Sequence, residues 1–196
     1  KLGKGKEQVE RLSNLVSIFQ KLDLSANQAD GDDLLGDAYE YLMRHFATES
    51  GKSKGQFYTP AEVSRIMAKI IGIAPDSPAS TTVYDPTCGS GSLLLKVATQ
   101  ANNTISLYGQ EKDVSTASLA RMNMILHNNE TAEISTGNTI AAPAFLKDGQ
   151  LRTFDFAVAN PPFSSKNWTN GIKPENDERF AYGIPPEKNG DYAFLL

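Results

Sequence analysis

Three short stretches hold side chains whose types and spacing could do chemistry together. The first is Asn160-Pro161-Pro162-Phe163, which closes the apolar run "FDFAVAN" at 154–160. Neither proline has an N–H for a strand ladder, so a strand must stop there in a rigid corner. The Asn160 amide oxygen and the Pro161 carbonyl are two close acceptors, and fixed proline φ angles hold them without entropy loss on binding. The group that suits two close acceptors is an –NH2 on a planar ring or amide, with the Phe163 ring stacked on its plane. Two such acceptors draw the amine hydrogens out of conjugation and expose its lone pair. No strong base is then needed if the electrophile is a cationic methyl donor, because positioning and electrostatics carry the rate. An isolated Asn-Pro-Pro reads better as a rigid turn beside a core phenylalanine; its place after a fourth strand favours the chemistry.

The second stretch is "DPTCGSGSLLLK" at 85–96, with glycines that let a ligand approach the backbone closely. A dinucleotide fingerprint wants a third glycine at position 94, where Leu94 stands, and a P-loop wants Gly-Lys-Ser/Thr, which is missing. Phosphate binding is therefore disfavoured. The third stretch ends in Glu111, 22 residues beyond Gly89. Alone it would be a solvated loop charge. After a glycine-rich turn it reads as a carboxylate that accepts both hydroxyls of a ribose. Cys88 has no histidine near it in sequence, so it reads as a packing residue; His45 and His127 read as ordinary helix residues, and no metal-ligand spacing occurs.

The elements that must position these residues follow from periodicity. Apolar positions Val9, Leu12, Leu15, Val16, Phe19 and Leu22 predict a helix over 7–22, and Leu35, Ala38, Tyr39, Leu42 and Phe46 a second over 32–47, with Asp32 or Asp33 placed to cap it. Residues 1–50 are read as an N-terminal helical segment. "GKSKGQFYTP" (51–60) is a polar connector. Thr59, Pro60 and Glu62 form a capping box with proline at the first helical position, ahead of the stripe Val63, Ile66, Met67, Ile70 and Ile71 that Gly72 ends. Strands at 81–85, 105–111, 132–136 and 154–160 alternate with helices at 90–100 and 114–127. That order predicts parallel βαβ units in a doubly wound α/β sheet, with ligands beyond the strands' carboxyl ends. The motifs at 85–91, Glu111, Gly137-Asn138-Thr139 and 160–163 all fall there. Residues 164–190 show no periodicity, the mark of a functional or disordered loop.

Composition sets the outer bounds. The chain has 196 residues, 40% hydrophobic and 21% charged, and a net charge of −4, so it is no basic nucleic-acid glove as a whole. A single cysteine excludes an internal disulfide and fits a cytoplasmic setting; no apolar stretch is long enough for a membrane span. A first residue Lys1 and a last stretch "DYAFLL", read as the start of an apolar helix, suggest a piece of a longer protein.

The stretches "LGDAYEYLMRHFA" (35–47), "GQFYTPAEV" (55–63), "YDPTCGSGSLLL" (84–95), "YGQEKD" (108–113) and "FDFAVANPPFS" (154–164) resemble, in order, the modification subunit of type I restriction–modification systems. The resemblance implies an S-adenosylmethionine-dependent adenine-N6 DNA methyltransferase. It implies a Rossmann-like class I methyltransferase sheet over 51–196, lacking its last strands and so C-terminally incomplete. It implies that Gln56, Phe57, Tyr58, Thr59, Pro60 and Ala61 close over S-adenosyl-L-methionine. Asp85 with Thr87, Cys88, Gly89, Ser90 and Gly91 would hold its amino-acid part, Glu111 its ribose and Asn138 its adenine. Asn160, Pro161, Pro162 and Phe163 would hold the target adenine, flipped out of double-stranded DNA. The implied partners are a specificity subunit, a second modification subunit and a restriction–translocase subunit. With little positive charge to offset base flipping, the stretch 164–190, with Lys166, Trp168, Lys173, Arg179, Phe180 and Tyr182, reads as a mobile DNA-facing loop or else as a plain solvated one. The same corner also fits a methyltransferase of RNA guanine N2 or protein glutamine. The glycine turn with Glu111 would also suit a nicotinamide-dependent oxidoreductase, and a non-catalytic assembly module could keep the fold without the reaction.

Overall fold

The computed structural model describes residues 5–21, 41, 59, 61–163 and 166–195. The chain divides into two units, Lys1–Ala38 and Tyr39–Leu196. In the first, helix α1 spans Lys6–Gln20, ending slightly short of the 7–22 expected. An Arg11–Glu7 pair at 2.6 Å links successive turns on its exposed face. The helix expected over 32–47 and the connector 51–60 lie outside the described residues, apart from Tyr41 and Thr59.

The second unit opens with helix α2, Ala61–Ile70, which Gly72 ends in a left-handed conformation at φ 87. Its buried face differs from the apolar stripe in the sequence. Ser64 and Ala68 are fully buried, and Met67 and Ile71 pack on the core, whereas Val63, Ile66 and Ile70 are exposed. Small residues at 64 and 68 let α2 lie close against the next helix, and the stripe is split, with Val63, Ile66 and Ile70 turned outward.

Strand β1 is Thr82–Asp85, β2 is Ser106–Glu111 and β3 is Glu133–Thr136. Helix α3, Ser92–Ala98, joins β1 to β2, and helix α4, Val114–Leu126, joins β2 to β3. Three short strands follow: β4 (Leu146–Lys147), β5 (Gln150–Leu151) and β6 (Phe156–Ala157). Four of the strands make one parallel sheet in the order β3-β2-β1-β6. The expected α/β alternation is borne out. Val83 and Leu107 point to one face, into a core with Leu94, Val97, Ala117 and Met124. Tyr84 and Tyr108 point to the other, where they meet Phe145 and Phe154; the Tyr84 and Phe154 rings stack at 4.7 Å. The Arg152 guanidinium lies 4.2 Å over the Tyr108 ring and donates to its hydroxyl.

Two corrections concern the last strand. The strand expected over 154–160 is a ladder of two residues, Phe156–Ala157. At its start a side-chain clasp replaces the ladder: Asp155 Oδ2 accepts from both the Thr82 N–H and the Thr82 hydroxyl at 2.8 Å. Its last backbone bond is Val158 N–H to Tyr84 O at 2.9 Å, just before the prolines. Ahead of it β4 and β5 pair as a hairpin that the periodicity did not predict. Asp148 and Gly149 form its two-residue turn at φ 54 and 81, the sign that such a turn requires.

A third correction concerns 164–190. Its described residues are not a loop without packing. Two 3-10 turns, Pro174–Asn176 and Glu178–Phe180, fold with a third, Asp191–Phe194, around a second small core of Ile140, Trp168, Phe180 and Ala193. That third turn stands where the sequence suggested the start of an apolar helix. Trp168 and Phe180 are buried and do not face outward. Arg179 is spent internally: it pairs with Asp177 at 2.5 Å and donates to Ile140 O at 2.6 Å. Lys166, Lys173 and Tyr182 are exposed. No helix among the described residues is long and apolar enough to cross a membrane.

Candidate functional site

Parallel register brings the carboxyl ends of the strands to one edge. Asp85 lies beside Gly109 and Glu111 beside Thr136, with Tyr84 beside Ala157. The segments that leave this edge enclose a cavity of about 440 Å³, within the size range of small-ligand sites. Thr87 and Pro86 come from the turn after β1, and Glu111, Lys112 and Asp113 from the end of β2. Asn138, Thr139 and Ile140 follow β3, and Asn160 and Pro162 follow β6. Trp168 and Phe194 close it from the second small core.

Local chemistry explains how each wall is held. Gly91 sits at φ 81, a left-handed turn that sends the chain into α3. Glu111 ties two loops: Oε2 accepts the Gly89 N–H at 3.1 Å and Oε1 the Asp113 N–H at 2.8 Å. A carboxylate has about four acceptor sites, so lone pairs remain for a ligand diol. Asp113 then caps α4 by accepting from the Thr116 N–H and hydroxyl at 2.9 Å. Thr139 donates to Pro86 O at 2.5 Å, which joins the turns after β3 and β1.

Of the residues expected to form the site, Thr87, Glu111, Asn138, Asn160 and Pro162 line this one cavity. Asp85, Cys88, Gly89, Ser90 and Gly91 do not line it and form the turn behind it. Asp85 is 2% exposed, and its Oδ1 accepts the Thr87 N–H at 2.9 Å. Desolvation pushes its carboxyl up to about 7, the Thr87 N–H opposing and nearby Glu111 adding to the rise. Burial likewise drives the Cys88 thiol well above its ordinary value, with Asp85 and Glu111 adding to it. Such a thiol is an inert packing group, as the sequence suggests. Asn138 uses Oδ1 to accept the Ile140 N–H at 3.1 Å. Phe163 is 71% exposed, and Pro161 is half-buried. Thr59 reaches the corner directly: its hydroxyl accepts an N–H of Asn160 Nδ2 at 3.2 Å. Ala61 begins α2. Gln56, Phe57, Tyr58 and Pro60 lie outside the described residues.

Two buried residues that sequence reasoning passed over hold the walls. Gln110 is fully buried in β2; it donates to Ala142 O at 2.8 Å and accepts from Ala144 N at 3.0 Å. It thereby fixes the chain that carries Asn138. Asn123, buried on α4, donates to Ser90 O at 2.9 Å and so anchors the glycine turn. Both carry a legible signal, an amide at a core-facing position of a periodic element. Gly109 is a steric requirement, since a Cβ there would lie 2.9 Å from Cys88 Sγ and 2.8 Å from Ile134 Cδ1.

The Thr87 hydroxyl is buried in the wall beside Asp85. Glu111 has acceptor capacity left. Among the described residues no cluster could hold a metal ion.

A family model described as N-6 DNA Methylase matches residues 30–196. A type I restriction enzyme MpnII methylase subunit of Mycoplasma pneumoniae is 35% identical over 95% of this chain and 36% of its own length. The crystal structure of a type I restriction–modification methyltransferase subunit from Streptococcus thermophilus superposes with a TM-score of 0.75 at 32% identity, over 99% of this chain and 41% of that one. A Listeria monocytogenes protein described as a class I S-adenosylmethionine-dependent methyltransferase shares the fold, with a TM-score of 0.70 at 15% identity over 100% of this chain and 56% of that one. The sheet is thus a Rossmann-like class I methyltransferase sheet. This chain spans about a third of the length of the curated relative it matches.

Proposed function

The chain belongs to the N-6 DNA methylase family, and from that premise we propose that it transfers a methyl group from S-adenosyl-L-methionine to adenine N6 in DNA, as a modification subunit. The observation that carries this reading is the convergence of Thr87, Glu111 and Asn160 on one cavity at the strand ends. S-adenosyl-L-methionine, when bound, supplies a methyl group on a cationic sulfur. Glu111 holds the ribose hydroxyls with its remaining lone pairs, and Thr87 borders the amino-acid part, both without any phosphate motif. Asn138 lies on the adenine side. Gln56, Phe57, Tyr58, Thr59, Pro60 and Ala61 close over the cofactor, and Asp85, Cys88, Gly89, Ser90 and Gly91 shape the turn against which it rests.

At the corner, Asn160 Oδ1 and the Pro161 carbonyl accept the two hydrogens of the target amine, and the exposed Phe163 ring supplies a face for the extruded base. Proline rigidity keeps the backbone of the corner and the Pro161 carbonyl in place, and the residues contribute orientation and electrostatics and not a strong base. A chain of net charge −4 has little to offer the phosphate backbone. Its relatives are named as subunits, and the grip on DNA falls to a specificity subunit, with a second modification subunit and a restriction–translocase subunit completing the assembly.

Two measurements test this. Calorimetric titration of S-adenosyl-L-methionine should show binding that Glu111→Ala weakens at least tenfold, the loss of a charged hydrogen-bond acceptor. Mass spectrometry of DNA treated with the assembled enzyme should find N6-methyladenine. Methylated guanine in RNA or methylated glutamine in a protein, with none in DNA adenine, would overturn the reading.

A further inference from the structure

We infer that Thr59 is a positioning residue for Asn160, setting the orientation of its amide. The inference rests on the functional reading above only for its consequence in turnover. Asn160 Nδ2 donates to Thr59 Oγ1 at 3.2 Å, a contact between residues 101 apart in sequence. An Asn amide presents an acceptor on one side and a donor on the other, and the two are nearly equal in shape. For an incoming amine they are opposites, because a flipped amide meets the –NH2 with its own –NH2. The proline that follows Asn160 fixes backbone φ but leaves the amide free to turn about its own bond. A hydroxyl can accept from Nδ2 or donate to Oδ1, so what Thr59 fixes is the plane of the amide; in this structure it accepts from Nδ2, which leaves Oδ1 without that contact in a residue that lines the cavity.

Thr59 supplies that partner from the chain just ahead of α2, where its side chain is half-buried. Thr59 thereby ties the chain just ahead of α2 to the amine site. A residue that only touched the cofactor would govern its affinity. One that orients the amide governs the rate once both substrates are bound.

The test uses Thr59→Val, which keeps the shape and removes the oxygen, beside Thr59→Ser, which restores it. In the assembled enzyme with its DNA, Thr59→Val should lower kcat about tenfold, as for one lost hydrogen bond. The loss of kcat should exceed any loss of S-adenosyl-L-methionine affinity, and Thr59→Ser should recover kcat. Unchanged kcat, or a loss confined to cofactor affinity, overturns the inference. A wild-type enzyme that forms no N6-methyladenine defeats the functional reading instead, and a second readout then decides this one. In protein labelled with 15N-asparagine, the Asn160 side-chain amide should exchange its hydrogens several-fold more slowly than in Thr59→Val. Equal exchange in the two proteins overturns the inference whatever the enzyme does.

Discussion

Replacing Asp85 with Asn should make the protein more stable at neutral pH, although Asp85 sits at the start of the most recognisable motif in the chain. The carboxyl is buried beneath the glycine turn, with one oxygen on the Thr87 N–H and, among the described residues, no cation paired with it. Its folded-state pKa of about 7 stands above the unfolded value of 3.8. Between those two values the folded protein binds a proton that the unfolded chain has released, so stability falls as pH rises through that window and levels off above it. About 3 pH units at about 1.4 kcal/mol each give a cost on the order of 4 kcal/mol at pH 8. Asparagine keeps the acceptor for Thr87 and never ionises, so it escapes the cost. Other carboxyls slope the opposite way: Asp155 and Asp177 have lowered pKa values, through Thr82 and Arg179 respectively, and add stability that is lost on acidification. The difference between the two proteins isolates Asp85. Urea unfolding without ligand, from pH 4 to pH 8, should give matching stabilities at pH 4 and an advantage for Asp85→Asn that grows to about 2–4 kcal/mol by pH 8. A difference that is flat with pH, or a mutant that is less stable at pH 8, refutes a neutral buried acid.

Other parts of the fold give sharp expectations. Gly190→Ala would place a Cβ 2.5 Å from the Trp168 ring, which is 2% exposed. It should cost about 1–3 kcal/mol, with a red-shifted emission from Trp168, the sole tryptophan; unchanged fluorescence would contradict the second small core. Asn123→Ala strips the Ser90 carbonyl of its buried partner and should cost about 1–3 kcal/mol while weakening S-adenosyl-L-methionine binding in calorimetry. Gln110→Ala releases Ala142 and Ala144 together, so the Ala144 amide should lose hydrogen-exchange protection while amides of β1 keep theirs.

The order of elements and the placing of motifs at strand ends were legible because both follow from periodicity and from glycine and proline. Thr87, Glu111 and Asn160 fall in one cavity as their places after β1, β2 and β6 require. What was not legible was carried by side chains that bond across long sequence distances. The stretch 164–190 has no periodicity because its core is made from single residues, Trp168 and Phe180, packed on Ile140 from a different loop. The hairpin at 146–151 was legible in its Asp148-Gly149 turn, but its strands are too short to show alternation. In α2 the apolar stripe was only partly right: Met67 and Ile71 pack on the core, while close packing selected Ser64 and Ala68 for the buried face in place of Val63, Ile66 and Ile70.

The last strand shows why this matters for the site. An apolar run of seven residues suggests that a long ladder aims the Asn160 corner, yet the ladder is two residues long. Its aim comes instead from three contacts outside the regular ladder. Asp155 clasps Thr82 at one end, Val158 bonds Tyr84 beyond the ladder, and Asn160 reaches Thr59 at the other end. The first and last are side-chain contacts that one substitution removes, and none of the three shows as a hydrophobic pattern. A parallel sheet brings the corner to the correct edge, but these bonds hold it there. The rigidity that two acceptors need for an amine is thus a tertiary property, and the double proline preserves it without creating it.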